Sequence, residues 1–131
     1  EGTDMFSHVT IGTNDFERAA AFYDAVLAIL DHGRFVSGDG YAGYGGPKGN
    51  QFWLLSPFDK APASPGNGCH VAFLAPNRAT VRAFYAAALA NGGSDEGPPG
   101  LRAHYHPNYY GAYVRDPDGN KIQAVCHRRD D

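Results

Sequence analysis

Sulfur and tryptophan are scarce in this 131-residue chain, which holds two cysteines, one methionine and one tryptophan. Cys69 and Cys126 are too few for a disulfide scaffold and lack metal-site spacing. With its thiols left free, the chain is expected in a reducing, cytoplasmic setting. Net charge is also small: eleven basic residues against fourteen acidic ones leave −3. That balance points to neither a nucleic-acid partner nor a membrane surface. His127-Arg128-Arg129 is too short a basic tail to change this. Apolar runs last only a few residues, so no segment reads as a transmembrane helix. The opening lacks the charged-then-apolar pattern of a leader, and Glu1 to Asp4 read as a disordered start. No lysine–serine pair follows the glycines around Gly38-Asp39-Gly40 or Gly43 to Gly49, so these read as hairpin turns and not as a phosphate loop. Ser56 and Ser64 lack a Gly-x-Ser-x-Gly elbow, which leaves a serine hydrolase unsupported.

What the chain does have is a core and a repeat. Hydrophobic residues make up 43% and charged residues 19%, the composition of one folded domain. Shifted by 62 positions, His8-Val9 falls on His70-Val71, Ala21-Phe22-Tyr23 on Ala83-Phe84-Tyr85, and Leu27-Ala28 on Leu89-Ala90. Eight of the 21 positions from His8 to Ala28 are identical in this register, without a gap. Further along the shift becomes 70, which lays Pro47-Lys48-Gly49-Asn50 over Pro117-Asp118-Gly119-Asn120. The second copy is therefore eight residues longer, and Gly92 to Pro107 is the place for the extra length.

Each copy reads as strand, helix, then three strands. Met5 to Ile11 alternates like a strand, and Asn14 with Glu17 resembles a capping box. Phe16, Ala19, Tyr23, Val26, Leu27 and Leu30 follow helical spacing up to Gly33. Phe35-Val36, Tyr41 to Tyr44 and Gln51 to Leu55 read as short strands between glycine-rich turns. In the second copy, Gly68 to Leu74 is a strand and Asn77 a helix cap. A stripe from Val81 to Leu89 follows, with strands at Tyr109 to Arg115 and Lys121 to Cys126. The expected organisation is a single domain over residues 5–127: module one 5–55, linker 56–67 and module two 68–127. A four-stranded sheet with one helix leaves its other face bare, so two modules should pair around a shared cleft.

Strand parity then sorts the side chains. If Val9, Ile11, Val71, Phe73, Phe52, Leu54, Ile122 and Ala124 face the helices, then His8, His70, Trp53, Lys121, Gln123 and Val125 face the cleft. Tyr113 and Arg115 join the cleft set, while Cys69 and Cys126 fall on the helix side as buried thiols. His8 and His70, equivalent in the repeat, should look across one cleft. Converging imidazoles are a start for a divalent metal site or, equally, polar members of a pocket. His104-Tyr105-His106 lies in the longer connection, either as a lid with an imidazole at the ligand or as a plain polar loop. Arg115 is suited to an anionic substrate or to a salt bridge with Asp116 or Asp118.

The paired modules, the His-Val openings and the run Tyr113-Val114-Arg115-Asp116-Pro117-Asp118-Gly119-Asn120 resemble the vicinal oxygen chelate superfamily. This superfamily includes lactoylglutathione lyase, extradiol dioxygenases, fosfomycin-resistance enzymes and bleomycin-resistance proteins. The resemblance implies an α+β fold in which two tandem βαβββ modules form a curved mixed sheet around a cleft. It also implies a small-molecule ligand, a homodimer, and in many branches a divalent metal such as Zn, Ni, Mn or Fe. By position the metal ligands would be His8, His70 and Gln123, with Trp53 at the fourth place, where no ligation is possible. The usual glutamate is replaced by Gln123, which lacks the charge to balance a dication and the basicity to abstract a proton. Water, substrate, His104, His106 or Glu96 would have to complete such a site. Two functions follow as expectations. One is a metal-dependent lyase or isomerase of the glyoxalase type, polarising substrate oxygens as a Lewis acid, with a dioxygenase disfavoured by Gln123. The other is a metal-free, antibiotic-type binding protein. Trp53, His106, Tyr113 and Arg115 are the expected substrate contacts in either case.

Overall fold

A computed structural model of the chain describes residues 5–129; the expectation for Glu1 to Asp4 lies outside them. Module one runs β1 (His8–Gly12), α1 (Phe16–Ile29), β2 (Arg34–Gly38), β3 (Tyr41–Tyr44) and β4 (Gln51–Leu55). Module two repeats the order as β5 (His70–Leu74), α2 (Arg78–Ala90), β6 (Ser94–Leu101), β7 (Tyr110–Arg115) and β8 (Lys121–Cys126). The strands form two four-stranded sheets of identical order, β1-β4-β3-β2 and β5-β8-β7-β6. Each sheet is mixed, its first and last strands parallel and the rest antiparallel. The ladders keep the two registers of the repeat: His8 lies opposite Gln51, and His70 opposite Lys121.

Helix starts are set by side chains that satisfy orphan amides. Asn77 caps α2 through the Thr80 N–H at 2.8 Å, as expected. In α1 the cap is Asp15, which accepts from the Arg18 N–H at 3.2 Å. Asn14, expected to cap, instead clamps the linker: its amide gives to the Ala63 carbonyl at 2.9 Å and accepts from the Ala63 N–H at 2.7 Å. The eight extra residues of module two extend β6 and the β6–β7 connection at 102–109, where module one has the two-residue turn Asp39-Gly40. β6 forms despite two prolines and two glycines because it is an edge strand, with register shifts where pairing lapses.

One core serves both modules. Phe22, Tyr23, Val26 and Leu27 of α1, Val81 and Phe84 of α2, and Phe52, Leu54, Val114 and Ile122 of the sheets belong to it. α1 packs on α2, and Phe52 of β4 meets Phe73 of β5 edge-on with centroids 5.2 Å apart. Gly93 sits where any side chain would collide: a Cβ there would stand 2.8 Å from the Phe22 ring and from the Arg115 carbonyl oxygen. Cys126 is buried as expected. Cys69 is exposed, because β5 begins at His70 and Cys69 stays in the preceding turn, outside the ladder.

A polar clasp closes the modules beyond the core. The buried Tyr23 phenol donates to the Asp116 carboxylate at 2.7 Å. The same carboxylate accepts from the Asp118 and Asn120 backbone amides and from the Asn120 side chain. Asp118 in turn accepts from the Thr13 hydroxyl and the Asn14 N–H. Burial first, and Asp116 second, raise the Tyr23 pKa well above its ordinary value; burial and Asp24 raise that of Tyr44. A raised phenol contributes stability that is whole below the unfolded value of about 10 and is lost as pH climbs from there towards the folded value. Denaturant midpoints are therefore expected to fall steeply above about pH 10. Tyr23→Phe should cost about 1–3 kcal/mol at pH 8, yet show a flatter alkaline decline. An unchanged decline in the variant would contradict this reading.

Candidate functional site

The face of each sheet turned away from the helices carries the polar and aromatic set. On the first sheet, Trp53 lies flat over Gly43, whose absent Cβ would sit 3.0 Å from the indole. Its Nε1–H donates to Gln51 at 3.0 Å, and Phe35 and Tyr41 flank the ring at 5.9 and 6.4 Å. No ring or hydrogen-bond contact of Trp53 comes from the second module among the described residues.

The open face of the second sheet is more heavily built. His70 Nε2 lies 3.0 Å from Gln123 Oε1, and the Gln123 amide nitrogen donates to the Tyr109 hydroxyl at 2.8 Å. Gln123 is wholly buried although it points to the open face, because the 102–109 connection folds back over it. Gly111 makes room: a Cβ there would press on the Gln123 amide at 3.1 Å. The His70 and Tyr113 rings meet at 5.8 Å, and Tyr105 stacks against Tyr109 at 4.8 Å. Burial and the neighbouring Tyr109 and Tyr105 phenols push the Tyr113 pKa up to about 12, so it stays protonated at neutral pH.

An imidazole pair fastens this connection. His106 Nδ1 accepts the Asn108 N–H at 3.1 Å, which leaves the proton of the neutral ring on Nε2. That nitrogen lies 2.9 Å from His127 Nδ1, just past the end of β8. His104 stacks on Tyr105 at 4.2 Å. Arg115 pairs neither with Asp116 nor with Asp118, both held by module one; it bonds Glu96 at 3.1 Å and the Gly119 carbonyl at 2.9 Å.

His8 and His70 line one apolar groove of about 600 Å³ between the free edges of β1 and β5, with Phe6, Phe52, Phe73 and Leu74 among its walls. The His8 ring bonds Ser7 at 2.8 Å, and no hydrogen bond or ring contact joins it to His70. These residues do not fit a divalent ion. Both ends of the Gln123 amide are already paired, and among the described residues no group of three His, Cys, Asp or Glu suited to a metal occurs. Two contributors escaped the sequence reading as site residues. Lys121 and Arg102 both lie over the Tyr113 ring, at 5.0 and 5.5 Å from its centroid. Parity had put Lys121 on this face, but nothing in the sequence signalled Arg102.

The family model described as Glyoxalase/Bleomycin resistance protein/Dioxygenase superfamily matches residues 5–124. A glyoxalase/bleomycin resistance protein from Albidiferax ferrireducens T118 is similar at 43% identity, over 95% of this chain and 100% of that one, with a TM-score of 0.86. A glyoxalase-related enzyme from Fulvimarina pelagi is 20% identical over 94% of this chain and 88% of that one, TM-score 0.74. A lactoylglutathione lyase from Agrobacterium tumefaciens is 20% identical over 96% of both chains, TM-score 0.62. At that identity the last two speak for the fold alone. Among curated proteins no match was found.

The Gln123 amide makes its own test. Tyr109→Phe leaves a buried amide N–H without an acceptor and should cost about 1–3 kcal/mol by denaturant titration. A cost near zero would mean that water or another acceptor already serves Gln123.

Proposed function

The chain belongs to the Glyoxalase/Bleomycin resistance protein/Dioxygenase superfamily, and from that footing we propose that it is a metal-free small-molecule binding protein whose ligand is aromatic. The observation that carries this reading is the hydrogen-bonded chain His70–Gln123–Tyr109. It stands where a metal-dependent relative would need an open imidazole and a carboxylate. An amide committed at both ends neither neutralises a dication nor takes a proton from carbon.

Tyr105, Tyr109 and Tyr113 give the ligand flat apolar walls with polar tips. Trp53, with Phe35 and Tyr41, offers a second aromatic surface on the first sheet. His106 acts through the connection that it fastens to His127, and Arg115, tied to Glu96, forms the rim. Assembly as a homodimer belongs to the same proposal: β1 and β5 leave one edge unpaired, with Phe6 and Leu74 each about two-thirds exposed beside them. A cytoplasmic setting suits the two free thiols. No helix among the described residues is long and apolar enough to cross a membrane.

The competing reading is a divalent-metal-dependent lyase or isomerase with His8, His70 and Gln123 as ligands. It draws on the two imidazoles lining one groove. Equilibrium dialysis against zinc, nickel, manganese and iron(II) separates the two. No stoichiometric uptake is expected at about 10 μM free ion, a level that a three-ligand imidazole–carboxylate site would fill. Since Trp53 is the sole tryptophan, its fluorescence, with calorimetry beside it, should report a panel of aromatic and polycyclic compounds that includes bleomycin. Stoichiometric metal that disappears in both His8→Ala and His70→Ala would overturn the proposal in favour of the enzyme.

A further inference from the structure

The second module is basic within an acidic chain. From residue 68 to 129 it holds seven arginines and lysines against four carboxylates. All four carboxylates are engaged. Asp95 accepts from Tyr85, Glu96 pairs with Arg115, and Asp116 and Asp118 hold Tyr23 and Thr13 of the first module. Lys121 and Arg102 are left without a carboxylate among the described residues, and both lie over one ring, that of Tyr113.

This placement is costly unless something answers it. Solvated cations ordinarily keep a flexible head in water and apart from like charges. Arg102 is not free to do so: its terminal nitrogens donate to the Gly100 and Pro98 carbonyls at 2.8 and 2.9 Å, which fixes the guanidinium beside the ring. Lys121 approaches the same ring from β8, on the side opposite the β6 edge. A tyrosine face offsets each cation by only about 0.5–1 kcal/mol at such an exposed position. Tyr113 supplies no negative charge, since its phenol remains protonated at neutral pH. The remaining neighbours, His70, Tyr105 and Tyr109, bring planar surface and hydrogen-bonding tips but no anion.

We propose that the ligand of this face is a small aromatic anion of the carboxylate class. Lys121 and Arg102 meet its charge, and its ring lies against the Tyr105–Tyr109–Tyr113 cluster. The inference rests on the small-molecule reading above and narrows it to one charge type. Arg115 is not the anion's partner, because Glu96 already neutralises it.

Three isosteric probes test the idea by calorimetry on the full chain: 2-naphthoate, neutral 2-naphthamide and cationic 2-naphthylmethylamine. A charge-assisted contact predicts 2-naphthoate bound about tenfold more tightly than 2-naphthamide, with 2-naphthylmethylamine weakest. The preference should shrink as salt is raised from about 0.05 to 0.5 M. Lys121→Met keeps the stem over Tyr113 and should weaken 2-naphthoate about fivefold, leaving 2-naphthamide within about twofold. Lys121→Glu should abolish the preference, and circular dichroism of both variants checks the fold. Equal affinities for the three probes, a preference for the amine, or a naphthoate preference intact in Lys121→Met would each overturn the anion assignment while leaving the binding function standing. Binding of none of the three at millimolar concentration would sink the binding function itself, and the assignment with it.

Discussion

The geometry of this protein depends on one buried carboxylate. Asp116 receives the Tyr23 phenol from the first module and three donors from its own turn, so its charge is fully answered where water is excluded. A carboxylate so placed holds the turn before β8 rigid, and that turn fixes where β8 begins, hence where Lys121 and Gln123 stand. Asp118, two residues on, ties the same turn to Thr13 and Asn14 at the start of α1. The clasp runs one way only. In the register of 70 that relates the copies, Gly46 and Lys48 occupy the places of Asp116 and Asp118. Tyr85, the counterpart of Tyr23, accordingly turns to Asp95 within its own module. A duplicated fold is thereby made asymmetric by two acidic residues, and the second module is held as a fixed platform against the first.

Most of the framework was legible because duplication supplies its own check. Two independent shifts, 62 and 70, reappear as the ladder pairs His8–Gln51 and His70–Lys121. Parity along β1, β4, β5 and β8 sorted core from open face because each strand has one face on the helices. Reading failed where local chemistry outweighed pattern. Asn14 and Glu17 resemble a capping box, yet Asp15 caps α1; the repeat register itself aligns Asp15 with Asn77, the cap of α2. Cys69 obeys parity only if the strand reaches it, and the ladder stops one residue short. β6 lay hidden in a glycine- and proline-rich segment because an edge strand tolerates what a central one cannot. Burial of Gln123 was illegible for a different reason. It depends on a connection folding back across the sheet, and no periodicity within a strand records that.

That connection is what separates the two open faces chemically. His8 and His70 start from equivalent positions, but the hairpin over the first sheet turns in two residues, and that over the second spans eight. With no cover, His8 has its neighbour Ser7 as its one hydrogen-bond partner among the described residues. Under cover, His70 joins Gln123 and Tyr109, and three tyrosines gather around them. The His106–His127 contact fastens the far side of the cover to the end of β8. Insertion length, more than the identity of the paired histidines, therefore decides which open face is covered. The pairing that looked most informative in the sequence marks the repeat of the modules, and His70 differs from His8 through Gln123 and Tyr109, neighbours that the repeat does not share.

The amide at position 123 and the two cations over Tyr113 together set the charge of the second sheet's open face. A glutamate at position 123 would place a negative group at the centre of the second sheet's open face. Its demand would be met by a bound dication or by turning Lys121 and Arg102 towards it. An amide removes that demand, and it satisfies its own buried ends through His70 and Tyr109. Among the described residues the two cations have no carboxylate partner, and Glu96 on the neighbouring β6 is held by Arg115. Positive charge that lacks a carboxylate partner raises the local potential and draws an incoming anion to such a face. On the proposed reading, the amide at position 123 and the two cations over Tyr113 together favour an anionic ligand on this face.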